Sequence, residues 1–219
     1  AMVNLPAAEN AWTEYYQNDG GAMWPNEQLI ILLKNRAWPN PLPPHQGLKV
    51  LDVGFGAGAN LRMMATLGME LHGVELSEAI CAKVGERLKR QGVSATLTVG
   101  TNTSLPYEDD SFDVLISWNA VHYQDSVESF GDALHEFHRV LKPGGALIVS
   151  TVGPEHMILE GAEIVSEFQK RLKGDPIRPD VVFCCFENLP ELTNQFLPKF
   201  LVVSAGELRF SLDAYCHHA

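Results

Sequence analysis

The stretch VLDVGFGAGAN, Val50 to Asn60, decides the reading of this chain. Leu48 to Val53 is a short apolar run of the kind that lies buried in a parallel sheet. Directly after it, Gly54, Gly56 and Gly58 fall within five residues. A tight turn needs one such residue or two, whereas a third lets backbone approach a ligand with no side chain between them. Open α/β sheets bind nucleotide-type ligands at the carboxyl ends of their strands, so the turn is read as a ligand-binding loop.

The flanking residues predict such a sheet. Asn60 to Leu67 reads as a short helix closed by Gly68, and Glu70 to Glu75 as a second strand. Ser77 suits the cap of a helix whose Ile80, Val84 and Leu88 repeat every four residues, with Gly92 ending it. Ala95 to Val99 and Phe112 to Trp118 are the third and fourth strands. Asp125 and Glu128 have the form of a capping box, ahead of a helix with Val127, Phe130, Leu134, Phe137 and Leu141 on one face. The turn KPGG, Lys142 to Gly145, leads into a fifth strand, Ala146 to Val152. Strands alternating with helices define a parallel sheet covered on both faces. Beyond it, Met157 to Leu172 and Glu187 to Phe196 predict two more helices. Phe200 to Val203 and Glu207 to Ser211 predict a hairpin at the sheet edge.

Composition narrows the function. At 219 residues the chain suits a single domain with a sizeable core. A formal net charge of −11 argues against nucleic acid, whose phosphates call for basic surface. The run Leu29 to Leu33 is far short of a membrane span, and no leader is read, so a cytoplasmic protein with no membrane partner is expected. Cys81, Cys184, Cys185 and Cys216 show no metal spacing and read as reduced thiols. His135 and His138 lie off the apolar stripe of their helix, so no metal is expected there.

By itself the glycine loop is ambiguous. Gly54, Gly56 and Ala59 also satisfy the G-x-G-x-x-A dinucleotide fingerprint, and Glu75 falls where a ribose-binding acid belongs. Three further blocks accompany it: GVELS (73–77), LPYEDDSFDVLISWNAVHY (105–123) and HEFHRVLKPGGALIVST (135–151). With LDVGFGAG (51–58), these four ordered blocks resemble the class I S-adenosylmethionine-dependent methyltransferases, in particular their broad small-molecule group. The resemblance implies a Rossmann-like α/β fold: a mostly parallel seven-stranded sheet with an antiparallel edge hairpin and helices on both faces. It implies residues 47–219 as the methyltransferase domain and residues 1–46 as an extension or lid packed on it. S-adenosylmethionine is the implied cofactor, leaving as S-adenosylhomocysteine, and a small organic molecule the implied acceptor.

The resemblance gives cofactor-binding roles to Asp52, Gly54, Phe55, Gly56, Gly58, Glu75, Leu76, Thr101, Asn102, Thr103, Ser117 and Trp118. Glu75 is the ribose acid. The family commonly has an aspartate after the third strand, facing adenine; Thr101 stands there, so it or Asn102 would make that contact without a charge. In methyl transfer the protein mainly aligns an acceptor lone pair with the activated methyl, and a base is needed only for a protonated acceptor. His122 follows the fourth strand and is the candidate catalytic base, with a hydrogen-bonded structural histidine as the competing reading. The substrate pocket is assigned to Tyr15, Tyr16, Trp24, Asn119 and His122. Trp12, Tyr15, Tyr16 and Trp24 flank Gly20 and Gly21, either as a lid or as a helix packed on the sheet. Methylation at oxygen or nitrogen is expected ahead of carbon. An NAD(P)-dependent oxidoreductase and a non-catalytic S-adenosylmethionine-binding module stay open as alternatives, as does the oligomeric state.

Overall fold

A computed structural model describes residues 5–18, 24–34, 42–173, 175, 178 and 180–207. Two helices, α1 (Leu5–Gln17) and α2 (Glu27–Lys34), precede the alternating units β1 (Lys49–Val53), α3 (Ala59–Ala65), β2 (Glu70–Glu75), α4 (Glu78–Arg90) and β3 (Ala95–Val99). β4 (Phe112–Trp118), α5 (Val127–Val140) and β5 (Leu141–Ser150) complete the core. The main sheet runs β3-β2-β1-β4-β5, and each of its pairs is parallel. The chain steps from β1 outward to β3 and then returns to place β4 on the other side of β1. Strand order reverses there, so the loops leaving β1 and β4 flank the crevice in which such sheets bind ligands.

Each face is covered by the helices that the apolar periodicity predicts. Ile80, Val84 and Leu88 of α4 pack with Leu61 and Met64 of α3 and with Leu29 and Leu33 of α2. On the opposite face, Phe130, Leu134, Phe137 and Val140 of α5 are buried against Leu51, Leu115 and Phe112. The α5 cap is Ser126, one residue later than expected, because its hydroxyl is the group that accepts the Ser129 N–H at 3.0 Å. Ser77 occupies the cap position of α4, yet its side chain makes no capping bond.

Two of the quoted blocks interlock. Arg139 on α5 donates to the carbonyls of Leu105 (3.0 Å) and Tyr107 (2.8 Å), while Glu136 accepts the Leu105 N–H at 2.9 Å. Asp113 accepts the Lys49 N–H at 2.9 Å and pairs with Lys142 at 2.7 Å, tying β1 to the start of β5. The loop after β3 is thus clamped to α5.

The chain departs from the sequence expectation after β5. No helix spans Met157–Leu172: Met157–Leu159 is one 3₁₀ turn, and Gly161, at φ 71°, lies in the left-handed region just ahead of β6 (Glu163–Ser166). Met157, Ile164 and Val165 are exposed, so no core rewards a helical period there. β6 pairs antiparallel with β7 (Gln169–Arg171), which pairs with β8 (Val182–Cys184), forming a separate three-stranded sheet. The main sheet accordingly has five strands among the described residues rather than seven, and the antiparallel strands do not extend its edge. α6 (Leu189–Phe196) is capped by Asn188, whose Oδ1 accepts the Glu191 N–H at 2.9 Å. Residues 200–203 form no strand, and 208–211, the rest of the expected hairpin, lie outside the described residues, as does Cys216. Cys81, Cys184 and Cys185 are buried free thiols. His135 meets Lys199 Nζ at 2.9 Å and His138 packs edge-on against Phe200, both on the outer face of α5. Among the described residues no helix is long and apolar enough to cross a membrane.

Candidate functional site

The three loop glycines serve different ends. A Cβ at Gly54 would stand 2.6 Å from the Ala120 side chain and one at Gly58 2.6 Å from Val84, so these two let the β4 loop and α4 close in. Gly56, at φ 53°, faces the crevice: its nearest neighbour across the open side is the hydroxyl of Tyr16, 2.5 Å from where a Cβ would sit.

Glu75 closes the end of β2 beside that loop and is buried. Its Oε1 accepts the Gly56 N–H and its Oε2 the Leu76 N–H, each at 2.9 Å. Burial raises its pKa, opposed by those two N–H donors. The carboxylate therefore fixes the loop and keeps its remaining lone pairs as acceptors. Asp52, at the switch point on β1, is wholly buried, with Oδ2 unpartnered among the described residues. Burial first, and then the neighbouring Glu75, raise its pKa to about 7.

On the other side of the crevice, Thr101 and Ser104 bridge through both main-chain bonds, turning the chain after β3. The Thr101 and Thr103 hydroxyls lie 3.3 Å apart, and Asn102 Nδ2 donates to the Ala120 carbonyl at 3.3 Å. Asn102 thereby ties the β3 loop to the β4 loop. Ser117 Oγ and Trp118 Nε1 are buried without partners among the described residues. Asn119, at φ 54°, is anchored by Ser150: its N–H donates to Ser150 Oγ at 2.9 Å and its Oδ1 accepts that hydroxyl at 2.8 Å. Phe55 is buried in the core with one ring edge facing Gly73.

Beyond the crevice lies an aromatic cluster. Trp12 and Tyr16 of α1 stack at 5.6 Å, and Tyr15 meets both edge-on. Tyr123 joins Trp12 at 5.4 Å, while His122 and Tyr123 each pack edge-on against Phe183 of β8 at 4.7 Å. His122 is 1% exposed, with Nδ1 unpartnered among the described residues. Burial, then the charges of His156 and Arg178, lower its pKa to about 3. The imidazole is uncharged at neutral pH, and so low a pKa makes it a weak proton acceptor.

Tyr15 and Tyr16 of the expected pocket meet, and His122 is linked to them through Tyr123 and Trp12, with Asn119 at the mouth of β4. Trp24 does not join them. It is exposed, with Arg62 of α3 over its ring at 5.5 Å. Tyr123, Phe183 and Arg178 were not anticipated. Tyr123 adjoins His122 in sequence, a signal that could have been used; Phe183 and Arg178 lie in a segment with no readable motif.

The chain matches the family model "Methyltransferase domain" over residues 51–149, the span from β1 to β5. That span is a class I S-adenosylmethionine-dependent methyltransferase domain, which resolves the ambiguity of the glycine loop. The chain is 36% identical over 104 residues to a demethylmenaquinone methyltransferase of Tropheryma whipplei, covering 47% of this chain and 41% of that protein. It is 31% identical over 147 residues to a ubiquinone biosynthesis O-methyltransferase of Ruegeria pomeroyi, covering 64% and 58%. The chain spans roughly half the length of these curated relatives. The [4+2]-cyclase SpnF shares the fold, with a TM-score of 0.62 and 20% identity over 91% of this chain and 72% of that one.

Proposed function

We propose that this chain transfers the methyl group of S-adenosylmethionine to a small organic acceptor, at oxygen or nitrogen ahead of carbon. The observation that carries the reading is Glu75: a buried carboxylate, tied to Gly56 and Leu76, facing the glycine loop of a methyltransferase domain. The residues fit the cofactor. Glu75 offers acceptors to ribose hydroxyls, Gly56 supplies backbone without a side chain, and Asp52 Oδ2 is a buried acceptor awaiting a donor. Thr101, Asn102 and Thr103 line the adenine end, and Ser117 and Trp118 the end toward β4. Bound there, the cofactor supplies a sulfonium-activated methyl group.

The remaining work is done by the chain. Trp12, Tyr15, Tyr16, Tyr123 and Phe183 exclude water and hold a flat acceptor, and such alignment can supply about 7–11 kcal/mol of the barrier. His122, uncharged and a weak proton acceptor, orients the acceptor's hydroxyl or amine by one hydrogen bond. Helix α1, within the N-terminal extension, covers the site, since Tyr16 lies over Gly56. Names of the relatives support the acceptor class, because both that are named above carry quinone-pathway titles.

The test is transfer of label from methyl-labelled S-adenosylmethionine to a panel of phenols and amines. Acceptor-dependent formation of S-adenosylhomocysteine is expected. Labelling of RNA, DNA or protein instead of the small molecules would overturn the acceptor class.

A further inference from the structure

We infer that the open edge of β3 is an interface between two copies of this chain, joined antiparallel about a two-fold axis at Leu97 into one continuous sheet. β3 is an edge strand of the main sheet, bonded only to β2 among the described residues. The Gly100 N–H turns inward to the Glu75 carbonyl at 3.0 Å, so by alternation Ala95, Leu97 and Val99 direct their main-chain groups outward. The strand reads Ala-Thr-Leu-Thr-Val, with no charge, proline or register shift to turn another strand away.

What fits this edge is its own image. Ala95, Leu97 and Val99 stand in register with Leu71, Gly73 and Glu75, and Ala95 and Leu97 pack beneath α4, so all three side chains share the α4 face. Val99 is nonetheless 48% exposed. At the opposite end of the strand a groove of about 390 Å³ opens between α4 and β3, its lining including Gly85, Leu88, Lys89, Val93 and Ala95. Antiparallel pairing centred on Leu97 sets the partner's Val99 against Ala95, at that groove, and symmetry repeats the contact. The charges obey the same axis. A Cβ at Gly85 would stand 3.7 Å from Leu97, so α4 crosses the strand at the axis. Glu78 and Lys89 are exposed, on the helix face of Gly85 and on either side of it. Antiparallel helices therefore bring Glu78 toward the partner's Lys89, and Lys89 toward the partner's Glu78. A foreign strand would be held by main-chain bonds alone, whereas a second copy also fills the groove and matches both charges.

Analytical ultracentrifugation of the wild-type chain reads the mass directly. A particle of about twice the 24.2 kDa chain is expected at micromolar concentration. Hydrogen exchange should find the Leu97 and Val99 N–H groups protected in the concentrated sample and open on dilution. Val99→Lys carries a charge into the partner's groove and should weaken the dimer about tenfold or more. Glu78→Lys and Lys89→Glu should each weaken it about tenfold, and the doubly reversed chain should recover it, a recovery that mere damage to the fold cannot give. A wild-type chain that stays monomeric at about 100 μM overturns the inference. So does a dimer that Val99→Lys and both single reversals leave unchanged, since another surface would then hold it. If Val99→Lys fails to fold, the charge reversals decide, and a doubly reversed chain that does not regain the dimer overturns the inference.

Discussion

The floor of the site and its walls are built by different means. The floor is backbone: Gly56 and Leu76 N–H groups on a buried Glu75, and a turn closed between Thr101 and Ser104. Its parts come from consecutive β-α units at the switch point of one parallel sheet. The walls are side chains, drawn from α1, the turn after β4, and β8. A floor of this kind is rigid and common to many reactions, whereas walls assembled from distant segments set which molecule is held. SpnF, a cyclase, shares the fold, so the sheet does not itself fix the chemistry.

Removing a wall should damage the fold and spare the floor. Phe183 is fully buried, edge-on against both His122 and Tyr123, so Phe183→Ala is expected to cost about 3–5 kcal/mol of stability. Urea unfolding would read the loss. Calorimetry on the folded fraction should find S-adenosylhomocysteine affinity within a factor of about two of wild type, since distant sites act independently. A cofactor affinity that falls with stability would merge the two regions into one.

Removing the floor should do the reverse. Glu75→Ala strands the Gly56 and Leu76 N–H groups and deletes the proposed ribose acceptor. S-adenosylhomocysteine binding is expected to weaken by about 1.5–3 kcal/mol, the scale of hydrogen bonds to a charged acceptor. Wild-type affinity in this variant would remove the ribose role.

This contrast also explains what the sequence disclosed. β2, β3 and β4 match their predicted bounds, and Glu75 and Gly56 meet as expected, because strand period and glycine turns are local properties. Helix α5 was legible from its stripe, though Ser126 and not Asp125 caps it. The cluster was half legible. Tyr15 and Tyr16 meet and join His122 through Trp12 and Tyr123, but Trp24 lies on Arg62 instead. Phe183 reaches the cluster from β8, which pairs with β7, and β6 and β7 stand where a helix over Met157–Leu172 was predicted. Exposed Ile164 and Val165 mimic an apolar stripe that no core uses, and strand pairing depends on partners that spacing does not show.

A third effect appears in pH. Asp52 keeps its proton in the folded chain up to about pH 7, whereas the unfolded side chain releases it near 3.8. Between those values the folded state binds the extra proton, so stability falls as pH rises through the window. Relative to Asp52→Asn, the wild-type melting temperature should therefore decline from pH 4 to pH 7. A difference independent of pH would show that Asp52 is ionised throughout. The smallest effect is expected at the rim of the floor. Thr101→Ala should weaken S-adenosylhomocysteine by no more than about 1 kcal/mol, because a neutral hydroxyl stands where a charge would bind more strongly.

The central claim is that the β1 and β2 loops seat S-adenosylmethionine. Titration calorimetry of the wild-type chain with S-adenosylhomocysteine, and separately with NAD and NADP, tests it most directly. One equivalent of S-adenosylhomocysteine should bind, with a matching rise in melting temperature by linkage to the folded state, and the nicotinamides should give no heat. Binding of NAD or NADP with none of S-adenosylhomocysteine would contradict the account.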